Sequence, residues 1–245
     1  MIFAILFLAS LWAGAQNALA GGGSFITLPS LMLTGMDARA ANITSTIALF
    51  PAQIAMGWTG RENVSGAAGL SIGLLVAISL VGGALGAILL LITPPSFFAR
   101  LVPWLVLFAT AMFAWGSFGP KKGGAAGLGR WPAMGAQFLI SIYGGYFGGG
   151  IGFLMLAALT AAGLAVRNAG ATKNMLAAVM NASAVAIFVF SPEVRWLQAG
   201  VSCAGAVVGG IMGAVMLNRV NEKLLRVAVV IIGIALTVGL FLRAG

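Results

Sequence analysis

Histidine is absent from this chain, cysteine occurs once, at Cys203, and only four acidic residues stand among 245. Each shortage removes a class of function. Without imidazoles the usual zinc, haem and general-base chemistries lose their commonest ligand and base. A single cysteine forms no intrachain disulfide and, with nothing to share it, no metal site, so neither metal nor cofactor is expected. The acids are Asp37, Glu62, Glu193 and Glu222. All fall in predicted turns, so no carboxylate is placed mid-helix to relay protons through a membrane. No nucleophile–base pair can be assembled either, and an enzyme is not expected. Coupling by sodium on unwound carbonyls, by protons carried on the substrate, or no coupling at all stay open.

Charge is scarce in general: 7% of residues are charged and 61% hydrophobic, with a mean hydropathy of +1.09. A soluble domain of this size needs a charged shell that these residues cannot supply. Apolar runs of about 20 residues recur along the chain, the mark of a polytopic helical membrane protein. The net charge of +9 then reads as loop lysines and arginines that set orientation and meet anionic lipid. Nucleic acid is not an expected partner, because no basic cluster is interleaved with aromatics. The first residues imitate a signal peptide, but no Lys or Arg precedes their apolar run, and Met1–Ala20 is read as mature structure.

What the chain has is glycine, placed where a helix should continue. The apolar block from Ile2 to Thr34 would be roughly 50 Å long as one helix, well beyond the ~30 Å hydrocarbon core. Gly21-Gly22-Gly23 divides it, leaving a second piece, Ser24–Thr34, too short to span. A re-entrant hairpin fits these lengths, with Ser24 placed to cap its second half. Gly148-Gly149-Gly150-Ile151-Gly152 does the same later. A shift of 128 residues superimposes Gly22 on Gly150, Gly35 on Gly163, Arg39 on Arg167, Thr44 on Thr172 and Gln53 on Asn181. A shift of 127 brings Gly82 and Gly86 onto Gly209 and Gly213. The chain is therefore read as a duplication: repeat one 1–118, a basic glycine-rich linker 119–132, and repeat two 133–245. Further spans are expected at 41–58, 64–92 and 101–118.

The fold expected is an all-α polytopic membrane protein of two inverted repeats. Each is a glycine-tipped re-entrant hairpin plus three transmembrane helices. Inversion puts nine of the basic residues on one face and four on the other, a positive-inside bias that leaves both termini outside the cytoplasm. Half-helix N-termini meeting at mid-membrane carry partial positive charge and free N–H groups, which suits an anion. The candidate binding residues are Gly21, Gly22, Gly23, Ser24, Gly149, Gly150 and Gly152. Thr44, Ser45 and Thr172 stand beside them as hydroxyl donors or as plain caps, with Asn174 in the same role. Gln53 and Asn181 are buried amides that serve the site or act as interhelical glue. Arg39, Arg167 and Lys173 are anion-attracting or gating cations, or interfacial anchors. The competing reading of the glycines is that they only let helices pack, and their GxxxG faces allow a homodimer.

Two stretches carry a family likeness: GGGSFITLPSLMLTG followed by AANITST, and FGGGIGFLMLAALTAAG followed by NAGATKNMLAAVMN. VGGALGAILL and VGGIMGAVML extend it over nearly the whole chain. The sequence resembles the TauE/SafE sulfite exporter family, also called the toluene sulfonate uptake permease family. That resemblance implies a multi-pass inner-membrane transporter of a small sulfur-containing or organic anion, such as sulfite or a sulfonate. Export by alternating access is the expectation, with a passive anion channel or an uptake permease as alternatives. Ala157 stands opposite Pro29, so the two hairpins are not expected to bend alike.

Overall fold

The computed structural model describes residues 2–19, 22–118, 127–216 and 222–244. Among these the regular structure is helical: α1 (Ile2–Leu19), α2 (Ser24–Met32), α3 (Ala38–Thr59), α4 (Ile72–Ile92), α5 (Pro95–Phe118), α6 (Arg130–Tyr146), α7 (Ile151–Ala161), α8 (Val166–Phe188), α9 (Trp196–Met216) and α10 (Glu222–Ala244). A 3-10 turn, Arg61–Asn63, follows α3. Four helices are long and apolar enough to cross a membrane: α4, α5, α8 and, over Trp196–Gly213, α9. Most of the basic linker lies outside the described residues.

Both glycine runs interrupt helix, and they do so with matching backbones. Gly22 and Gly150 adopt φ of +82° and +76°, a region open to glycine at little cost. The amides of Phe25 and Phe153 then close the same turn onto the carbonyls of Gly22 and Gly150, at 3.0 and 3.1 Å. The pieces that follow, α2 and α7, hold 9 and 11 residues, about 14 and 16 Å at the helical rise. Neither crosses a bilayer, and α2, which contains Pro29, is the shorter. Each ends on another matched pair, Gly35 and Gly163, at φ of +90° and +93°.

Two local expectations need correction. Ser24 does not cap α2; Gly23 holds that position without a side-chain bond, and Ser24 is the first helical residue. The cap appears instead before α3, where Asp37 Oδ1 accepts from the Arg39 and Ala40 amides at 2.9 and 3.0 Å. The helix expected from Val64 begins only at Ile72. Ala68 and Gly69, both at positive φ, make a tight turn in which Ala67 and Leu70 exchange backbone bonds of 3.1 and 2.9 Å. Helix resumes after Ser71, whose Oγ accepts from the Leu74 amide.

The helices pack in pairs. α1 packs along α9 while α6 packs along α4, and α3 and α8 lie antiparallel at the centre. Small residues bring these backbones together. Gly209 sits on the Leu11 carbonyl and Gly213 on Ala15, while Gly82 meets Ser141 and Gly86 the Ile142 carbonyl. Both GxxxG faces are therefore occupied within the chain. Gly145 rests on the backbone of Gly83, where an added Cβ would overlap the Gly83 carbonyl.

Gly145→Ala is expected to destabilise the protein severely, because backbone stands on both sides and neither can yield. Gly200→Ala in α9, where an added Cβ meets nothing within 4 Å, is expected to be neutral or to add up to ~1 kcal/mol. Thermal unfolding of the two purified variants in one detergent checks the contrast.

Candidate functional site

The central α3–α8 pair carries the polar groups. Gln53 Oε1 accepts from Asn181 Nδ2 at 2.6 Å, so two residues at equivalent repeat positions bond to each other across the middle of the molecule. Close approach is possible because Gly57 lies against Ala178 and Gly60 against Ala171. Asn181 Oδ1 is buried without a partner among the described residues.

Beside this pair lies a cavity of ≈ 40 Å³. Gly22 and Ser24 reach it from the first helix break, and Gly148, Gly150 and Gly152 from the second. α3 contributes Gln53 and Met56, α8 contributes Lys173, Asn174 and Ala177, and Asn17 completes the wall from the end of α1. The two glycine breaks, 128 residues apart, thus share one chamber. Lys173 is its single charged lining residue among those described. Its Nζ lies beside Gly152, 3.6 Å from where a Cβ on that residue would stand, an ordinary contact distance. No carboxylate pairs with Lys173 among the described residues; the ion pair present is elsewhere. Of the first amides of α7, that of Phe153 returns to the Gly150 carbonyl, while those of Ile151 and Gly152 precede the helix's own bonds.

Not every candidate reaches the chamber. Thr44 and Thr172 lie instead toward opposite ends of the α3–α8 pair. Thr44 Oγ1 accepts from the Arg195 amide at 3.3 Å, in the turn after α8. Thr172 Oγ1 accepts from the Ser65 amide at 3.0 Å and donates to the Ser65 carbonyl at 3.2 Å, in the turn after α3. Ser45 shares a 2.6 Å bond with Thr27. Gly149 receives the Tyr143 hydroxyl on its carbonyl at 2.9 Å. Gly23 packs on the Ala13 carbonyl. Gly21 lies outside the described residues. Asn17 and Met56 line the chamber without having been singled out; Asn17 had a signal, being the last polar side chain before the glycine run.

The three cations separate. Lys173 faces the chamber. Arg39 is clamped: its guanidinium makes a two-pronged ion pair with Glu193, with Nε to Oε2 at 2.9 Å, and donates to the carbonyls of Leu91 and Thr93 at 3.2 and 2.5 Å. One side chain thereby ties α3 to the α4–α5 turn and to the α8–α9 turn. Arg167, at the equivalent repeat position, is exposed. The chamber lies toward the Arg167 end, since Gln53 and Met56 are in the last turns of α3 and Lys173 in the second turn of α8.

Comparison with known proteins agrees over the whole length. Residues 6–240 match the family described as "Sulfite exporter TauE/SafE". A "Probable membrane transporter protein" of Haemophilus influenzae is 29% identical over 96% of this chain and 93% of its own. "Probable membrane transporter protein ORF9" of Sinorhizobium sp is 30% identical over 98% and 92%. "Probable membrane transporter protein YfcA" of Escherichia coli K12 is 27% identical over 95% and 87%. No solved structure matches the chain.

Asn181→Leu is expected to cost about 1–3 kcal/mol by stranding the Gln53 carbonyl oxygen. The double replacement of Gln53 and Asn181 by Leu should recover part of that loss, since it removes both polar groups. A double-mutant cycle on thermal stability reads the difference.

Proposed function

The chain belongs to the sulfite exporter TauE/SafE family, and from that premise we propose that it exports a small sulfur-containing or organic anion by alternating access. The observation that carries the proposal is the chamber joining both helix breaks around a lysine with no acidic partner among the described residues. An ammonium in such a place is costly without a counter-charge. A transported anion supplies it.

The reading needs two inverted repeats with re-entrant hairpins. Two features support that. The Leu128 amide, just before α6, bonds the carbonyl of Ala161, the last residue of α7, at 2.7 Å, so that helix pair begins and ends together. α3 and α8, which correspond under the shift of 128, also run antiparallel, as inversion of one half against the other requires. With Lys173 inside the chamber, the order of the loops in the sequence, taken on the inverted-repeat reading, assigns eight of the other basic residues to the Arg167 end and four to the opposite one. That end is then cytoplasmic, and the chamber opens toward the compartment from which an exporter loads.

Closure of the far end rests on Arg39 and Glu193. At the other end the reading gives the corresponding role to Arg167 and Glu62, both exposed, with Glu62 in the 3-10 turn that packs on α8, although the shift of 128 sets Glu193 against Ser65. In the outward-open state the first pair parts and the second forms. A passive channel needs no such exchange.

Lys173→Gln should abolish stabilisation by sulfite and small sulfonates in a thermal-shift screen, while Lys173→Arg keeps part of it. Saturable counterflow of labelled substrate in proteoliposomes is expected of the native protein; linear, unsaturable flux would replace the carrier by a channel. Glu193→Gln should lower the labelling rate of a cysteine placed at Met56 by an impermeant thiol reagent added on the cytoplasmic side. An unchanged rate would remove the Arg39 pair from the gate.

A further inference from the structure

Resting on the transport reading above, we infer that the chamber selects its anion by charge number: it accepts a singly charged oxyanion of the sulfonate or hydrogensulfite kind and rejects a doubly charged one such as sulfate. Selection follows from a charge count on the wall of one small cavity. Lys173 contributes one positive charge, and the other polar side chains on the wall, Asn17, Ser24, Gln53 and Asn174, are neutral. The helix ends add little. At each break a C-terminus and an N-terminus arrive together, α1 with α2 and α6 with α7, so half-charges of opposite sign meet and largely cancel.

Help from outside is weak. Arg61 and Arg167, the nearest arginines in sequence, are exposed, and water and salt screen them. Nor does the cargo bring its own compensation. The cavity of ≈ 40 Å³ has room for only a few waters, at about 10–15 Å³ each on the same measure. An oxyanion that enters leaves its hydration shell and counterion behind. A monoanion beside Lys173 forms a neutral pair with amide and hydroxyl donors around it. A dianion leaves one negative charge uncompensated away from bulk water, which is heavily penalised.

Methanesulfonate and sulfate test this, since they share a tetrahedral sulfur–oxygen head and differ by one charge. Both are titrated into the full-length purified protein at neutral pH and constant ionic strength, with affinity read by calorimetry and thermal shift. Methanesulfonate should bind and sulfate should bind at least about tenfold more weakly. Asn174→Lys adds a second cation to the wall and should narrow or reverse that ratio; Met56→Lys repeats the test from α3 should the first variant not fold. Sulfate binding as tightly as methanesulfonate to the native protein would overturn the charge rule and leave the anion site standing. A ratio that stays put in a folded two-lysine variant would overturn it too. Absence of binding by either anion would instead remove the transport reading itself.

Discussion

Backbone broken inside a membrane protein must be satisfied by the protein itself or by what it carries, and this constraint organises the whole chain. A helix that stops in hydrocarbon leaves carbonyls at one end and amides at the other, each costing several kcal/mol if unpaired. The chain stops helices twice, and in both places glycine at positive φ turns the backbone so that the next helix starts on its own carbonyl. Tyr143 takes one freed carbonyl, that of Gly149. What remains is gathered into one chamber instead of being scattered over two faces.

Gathering them needs helices closer than ordinary side chains permit. The glycine and alanine contacts of α1 on α9, α4 on α6 and α3 on α8 supply that closeness. The glycines thus do two separate jobs. Those of the long helices are packing surfaces, as the plainer reading of them held, while those at the breaks are conformational. Gly82 and Gly86 belong to the first kind and Gly22 and Gly150 to the second, and composition alone does not separate them.

This explains what could be read from the sequence and what could not. The correspondence at a shift of 128 was legible through rare residues: Arg39 with Arg167, Thr44 with Thr172 and Gln53 with Asn181 stand out in an apolar chain, and Gly22 with Gly150 and Gly35 with Gly163 recur in backbone angle as well. The 64–71 segment was misread because its apolar residues resemble helix, whereas a tight turn at Ala68–Gly69 ends it. Among the polar candidates, periodicity told which helices carried them but not which way they turned. Thr44 and Thr172 tie helix starts to opposite turns, Ser45 goes to Thr27, and Lys173 turns to the chamber. Arg39 could not be assigned from sequence, because its partner Glu193 lies 154 residues away in a turn.

The most consequential feature is where the duplication fails. Ser45 and Lys173 occupy equivalent positions, yet one is a neutral side chain satisfied by Thr27 and the other an ammonium facing the shared cavity. Arg39 and Arg167 are identical, yet one is locked to Glu193 and the other exposed. Two halves of one design can exchange conformations during a cycle, but a charge present in only one half cannot be exchanged. On the transport reading proposed above, Lys173 stays with the cargo site whichever end is open, while the arginines, present in both halves, alternate. In that proposal the fixed charge belongs to the site and the alternating contacts to its two ends, so that the difference between Ser45 and Lys173 separates the two roles.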